Sequence, residues 1–200
     1  MNKDRLAAFT DAILAIIMTI LVLELEKPAE ASWAALWDLR QSFFSYIISF
    51  FWLGAMWVNL HSQWQRVEKI DNRVVWCSVI MLFFASLFPW VTDFVGKNFM
   101  SPVANGAYLA VVLAVSFANI ALNRFVGQAN RDSEGFYEET RAVDKVMWID
   151  IAIKLAGFVI AMLVCPPLTL VFVMAAGVLP STVAHRLQKK HKAQLTEDKA

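Results

Sequence analysis

Arg5, Thr10 and Asp11 lie inside one uninterrupted apolar stretch, RLAAFTDAILAIIMTILVLEL, over residues 5–25. Ionisable groups at bilayer depth are costly, so a helix that keeps them uses them in a pore, a proton relay or a locked polar network. Arg5 and Asp11 are six positions apart, about 9 Å in helical rise and on different faces, so they cannot pair within one helix. Arg5, near the helix end, can snorkel to the interface. Asp11 and Thr10 lie deeper and call for donors from other helices. The second apolar stretch supplies Trp57, Asn59 and His61, and the third supplies Trp76 and Ser78. His61 matches Asp11 in depth, so an Asp11–His61 contact is expected. It would serve as a proton relay or as a structural network that fixes the angle of the first helix, and the second is the cheaper explanation.

The same helix carries a second pattern. Ala12, Ile16, Thr19 and Leu23 share one stripe at 3.6 residues per turn, with Ile20 beside it. If several copies of this stripe met around an axis, Ile16 would close a narrow apolar ring that gates by dewetting, and Thr19 hydroxyls one turn on would offer partial replacement ligands to an ion. The alternative is that Ile16, Ile20 and Leu23 face lipid. Periodicity alone favours that alternative, because branched aliphatics are the default membrane filler.

Little else in the chain suggests chemistry. Asp150 and Lys154 are four apart and can pair on one helix face, which accounts for them without catalysis. No nucleophile–base motif and no metal-ligand spacing is present, so an enzyme is not expected. Cys77 and Cys165 both sit in apolar runs, where thiols behave as small hydrophobes, so neither a disulfide framework nor a metal site is expected. No cofactor is called for. The basic HRLQKKHK tail reads as a topology signal, and its short juxtamembrane cluster does not suit nucleic acid.

The elements that must position these residues are membrane helices. The chain is 58% hydrophobic and 18% charged, against about 45–50% and 25% in soluble domains, and its mean hydropathy is +0.53. The sequence predicts an all-α, polytopic membrane protein with the lipid bilayer as partner and about six spans, near 5–25, 42–64, 74–95, 103–126, 146–165 and 168–185. They form one channel-sized unit over 1–185, followed by a basic tail, 186–200. Lys3 and Arg5 before an apolar run resemble a signal peptide, but the run is too long and lacks a small-residue cleavage site, so it is expected to stay. Trp33 and Trp37, one turn apart in 29–41, suit an interfacial helix or a connecting helix packed on the bundle. Pro89 is expected to kink the third span, and a polar loop is expected over 127–145. Lysines and arginines concentrate in 65–73, 127–145 and the tail, which puts both termini in the cytoplasm. No internal repeat is evident.

With these residues in view, the chain resembles a known family. Arg5-x-x-x-Phe9-Thr10-Asp11 followed by AILAIIMTILVLEL is similar to the RxxxFSD signature on the first helix of the TMEM175 potassium channels. Trp57, His61 and the segment VWCSVIMLFFASLFP extend the likeness through about residue 95. The chain looks like a short prokaryotic single-repeat member. Thr10 stands where the family usually has Ser, and Ser78 where many relatives have Asn. The resemblance implies a homotetramer of six-helix subunits in a prokaryotic plasma membrane, with K⁺ permeating a central pore lined by the first helix. Ile16 would be the constriction, with Thr19, Ile20 and Leu23 in the next layers. The family lacks a TVGYG carbonyl filter, and so does this sequence, which leaves selectivity to the constriction and nearby hydroxyls. The implied activity is a potassium-selective, leak-like cation channel. The competing reading is a proton-coupled transporter or proton-conducting channel that uses Asp11 and His61.

Overall fold

A computed structural model describes residues 2–133 and 135–177. Apolar sequence at membrane-spanning length folds as helix because a backbone without water must satisfy its own N–H and C=O groups. The elements are α1 (Lys3–Leu23), α2 (Trp33–Asp38), α3 (Arg40–Trp64), α4 (Asn72–Ala85), α5 (Phe88–Lys97), α6 (Pro102–Ala129) and α7 (Phe136–Val164). A shorter apolar helix, Leu168–Gly177, follows.

Among the described residues, five stretches are long and apolar enough to span, with α4 and α5 together making one of them. The described residues thus account for about five of the six expected spans. The sixth is seen only as the short helix Leu168–Gly177; its predicted remainder, 178–185, and the basic tail 186–200 lie outside the described residues. The third span is two helices, not one. Pro89 has no N–H to give and its ring would meet the Ala85 carbonyl, so α4 ends at Ala85 and α5 restarts with the proline in its first turn. Ser86 turns its hydroxyl onto the Phe83 carbonyl at 2.7 Å and satisfies one of the acceptors freed there.

The predicted loop over 127–145 is mostly helix. α6 continues to Ala129 and α7 begins at Phe136, leaving only 130–135 between them. Polar side chains alone suggested a loop, but here they tie the two helices together beyond the apolar zone. Arg124 makes a two-pronged contact with Asp144, its nearest pair at 2.9 Å, and Asn123 donates to the Thr140 carbonyl at 2.8 Å. Trp33 and Trp37 of α2 are both exposed, which suits the interfacial reading over packing on the bundle.

The core runs between α1, α3, α4, α5 and α6, with Leu14, Leu53, Met81, Phe88, Tyr108 and Val112 fully buried. α7 packs on the outer side of α6. Asn130 closes one end of the bundle. Its side chain accepts from the Glu68 and Lys69 N–H groups at 3.0 and 2.8 Å, and donates to the Lys69 and Val126 carbonyls. Lys3 Nζ reaches the Val67 carbonyl at 2.7 Å, and Arg66 pairs with Glu139. The start of α1, the 65–71 hinge and the 130–135 turn therefore share one end, together with Lys3, Arg5, Arg66, Lys69 and Arg131. Asp71 caps α4 at that end. Partial burial alone would raise its carboxyl, but the Val74 N–H and the Arg73 guanidinium hold it below the usual carboxylate range.

The descent from α7 into Leu168–Gly177 depends on Gly157. A Cβ there would overlap the Phe172 ring. Gly157→Ala is expected to destabilise the subunit by about 1–3 kcal/mol, the usual cost of overpacking, read as earlier thermal unfolding in detergent.

Candidate functional site

α1 has two faces of different character. Leu6, Thr10, Leu14, Ile17 and Leu21 recur every three to four residues and are all buried. They seat the helix on α3, α4 and α5. The opposite stripe carries Ala12, Ile16, Thr19 and Leu23, all exposed, with Ile16 at 53% and Leu23 at 78%. Ile20 and Phe9 flank it and are also exposed, as is Arg5 at the start of the helix. Thr19 Oγ1 donates to the Ile16 carbonyl at 2.8 Å. Its hydrogen is thus committed to its own helix, while the oxygen keeps acceptor capacity.

The network behind this face differs from the expected one. Asp11 Oδ1 accepts from the Trp57 indole at 2.9 Å, and the expected Asp11–His61 contact is replaced by this bond. His61 instead stacks on Trp57, with centroids 5.3 Å apart and planes 24° apart, and bonds Gln65 at 3.0 Å. The reason is reach. Both residues are on α3, but the longer indole spans the gap to α1 and the imidazole sits one turn further along. Thr10 and Ser78, expected to bridge helices, are fully buried and donate to carbonyls one turn back, Leu6 and Val74, at 2.9 Å each. Both hydroxyls are satisfied within their own helices. Trp76 is exposed.

Two buried clusters were not visible in the sequence. Thr92 of α5 donates to Ser49 of α3 at 2.7 Å, and Ser49 shares a hydrogen with Tyr108 of α6 at 3.0 Å. Gln63 of α3 donates to Asn123 of α6 at 3.0 Å, and Asn123 in turn holds α7 through Thr140. Polar residues within apolar runs are the signal for both, but such runs do not say which helices meet.

Trp57→Phe tests the α1–α3 tie. Loss of the indole donor is expected to cost about 1.5 kcal/mol, as for a hydrogen bond to a charged group. Asp11→Asn in that background should cost little more, so a double-mutant cycle on thermal unfolding should show coupling between the two sites.

Among the described residues no group of three or more His, Cys, Asp and Glu converges to hold a metal ion. Apolar helices with unpartnered outer faces and polar groups locked inside define a multi-pass helical membrane protein. Comparison with known proteins makes this specific. A family model described as "Endosomal/lysosomal potassium channel TMEM175" matches residues 5–89. A potassium channel of Chryseobacterium sp. (strain P1-3) is 32% identical over 162 residues, covering 79% of this chain and 84% of that one. A potassium channel of Streptomyces collinus is 30% identical over 131 residues, covering 61% and 64%. The crystal structure of a lysosomal potassium-selective channel TMEM175 homolog from Chamaesiphon minutus shares the fold, with a TM-score of 0.66 at 21% identity over 87% of this chain and 97% of that one. This chain belongs to the TMEM175 family. Membership classes it with channel proteins rather than enzymes, and with the multi-pass proteins of prokaryotic plasma membranes.

Proposed function

We propose that the chain is one subunit of a potassium-selective, leak-like cation channel. Four copies set α1 around a common axis, with Ile16 as the constriction and Thr19, Ile20 and Leu23 in the layers beyond it. K⁺ is the permeant ion. Both termini face the cytoplasm, residues 1–185 form the channel unit, and 186–200 form a basic tail.

The observation that carries this reading is the division of α1. Its buried stripe fixes the helix, and the stripe with Ile16 and Thr19 stays exposed among the described residues. Family membership favours a pore over lipid as what that stripe meets, since the relatives are potassium channels. Apolar Ile16 suits a ring that excludes water, and the Thr19 oxygen, its hydrogen already used, suits a weakly hydrated cation.

The proton-coupled alternative loses support from the same geometry. Asp11 is held by an indole, which donates but cannot accept, so Trp57 interrupts a relay between Asp11 and His61. The test is recording from purified protein in planar bilayers with KCl on one side and NaCl on the other. A reversal potential on the K⁺ side, with current that does not saturate, is expected. A reversal potential at zero, or flux that requires a pH gradient, would reject the reading.

A further inference from the structure

The strongest unexplained feature lies away from α1, in the angle between α3, α6 and α7. Asp150 and Lys154 of α7 are both buried, with side chains 6% and 2% exposed. Lys154 Nζ donates to Asp150 Oδ2 at 2.6 Å and to Ser116 Oγ of α6 at 3.1 Å, and sits 5.4 Å from the Trp52 ring of α3. The other carboxylate oxygen, Asp150 Oδ1, is buried with no hydrogen-bond partner among the described residues. A buried charge pair is tolerable only when its remaining lone pairs are also satisfied, and an ionisable residue within a membrane span marks a functional site by default.

Asp150 lines a cavity of about 40 Å³, along with Ser116, Asn59 of α3 and Asn119 of α6. A water's share of liquid volume is about 30 Å³, and a buried water needs two to four polar partners. This cavity has room for roughly one, and it has the partners. A second cavity, of about 50 Å³, shares Asn59 and Asn119 with the first and continues to Gln63, Asn123, Arg66 and Glu139. The row of polar groups therefore runs from the basic end of the bundle to the Asp150 carboxylate. Among the described residues the neighbouring elements bring no further charge to the pair. The cavity wall is Trp52, Met56 and Asn59 from α3, Ser116 and Asn119 from α6, and Gly177 beyond α7. Arg66 and Glu139 neutralise each other at the far end, and Asp144 on α7 is held by Arg124.

We propose that each subunit holds a second polar route, off the α1 axis, in which water enters at the Arg66–Glu139 end, passes the Asn59 and Asn119 amides and ends on Asp150, making the Asp150–Lys154 pair a proton-exchange site. A hydronium at the inner end gives its proton to Oδ1 and leaves water behind. Lys154 keeps its proton, its bond to Ser116 and its place by the Trp52 ring, so the pair goes from neutral to singly positive. The reverse step returns the proton along the same water. This route does not depend on the pore reading, since none of its residues is on α1.

Two measurements on the full-length chain in lipid nanodiscs test it. Infrared difference spectra between alkaline and acidic buffer should show the carbonyl stretch of a buried protonated carboxyl, shifted in D₂O. Asp150→Asn/Lys154→Met, which removes both charges together, should lack that band. If that variant does not fold, Asp150→Glu should keep the band and move it. Separately, in hydroxyl-radical footprinting, where the oxidant is made from water in place, Met147, which lines both cavities, should be oxidised at least about tenfold faster than Met81, which lies in the dry core. Absence of an Asp150-dependent band, or a Met147 oxidation rate no greater than that of Met81, would overturn the proposal.

Discussion

Ile16→Asn is expected to raise single-channel K⁺ current by about tenfold, the effect of taking about 1.4 kcal/mol from a barrier, and to reduce the preference for K⁺ over Na⁺. An apolar ring makes an ion give up water without replacement. Four amides in the same ring would supply ligands and hold water, so the dewetting barrier falls for both ions and discrimination falls with it. The variant should fold, because Ile16 is 53% exposed within the described subunit and lies off the buried stripe of α1. Ile17→Asn is the matched control. Ile17 lies one position on, about 100° around the helix, and is 3% exposed, so an amide there is buried without partners and should cost stability while leaving per-channel conductance near wild type. Single-channel recording with thermal unfolding on the same preparations separates the two. Equal conductance in Ile16→Asn and wild type would remove Ile16 from the pore.

Removing one member of the buried pair is expected to be the most damaging change elsewhere. Asp150→Ala leaves the Lys154 ammonium buried, with the Ser116 hydroxyl and the Trp52 ring as its remaining polar partners among the described residues. Breaking a buried ion pair from one side typically costs about 3–5 kcal/mol, whereas replacing both members with residues of similar volume is near neutral or better. Lys154→Met alone should be comparably harmful, since it strands the carboxylate. Asp150→Asn/Lys154→Met should recover most of the loss. Thermal unfolding and the yield of folded protein in detergent read the difference. A double variant as unstable as either single one would mean that the side chains matter for shape and not for charge.

The sequence carried a large part of this fold. Apolar stretches at spanning length fell within about three residues of the ends of α1, α3 and α6, because in lipid a long apolar segment has no option but helix. Pro89 marked a break, although its severity, two helices in place of a bend, depended on how Ser86 and its neighbours could satisfy the freed carbonyls. The 127–145 segment was misjudged for the opposite reason. Its charges suggested water and loop, yet Arg124–Asp144 and Asn123–Thr140 let α6 and α7 run on past the apolar zone. The pair Asp150–Lys154 was legible because i, i+4 spacing is local, and the structure has it at 2.6 Å.

By itself the sequence determined the class, an all-helical membrane protein of the TMEM175 family, and the stripe of Ile16, Thr19 and Leu23 along one helix. Both follow from short-range rules, hydropathy over one span and 3.6 residues per turn. Only the tertiary structure decided which partner each polar group takes. Asp11 meets Trp57 and not His61, Thr10 and Ser78 turn back on their own helices, and Asn59 and Asn119 come to share cavities with a buried ion pair. Those choices depend on how helices are rotated and stacked against one another, which is set by the packing of whole faces and is not written in the spacing of any one segment.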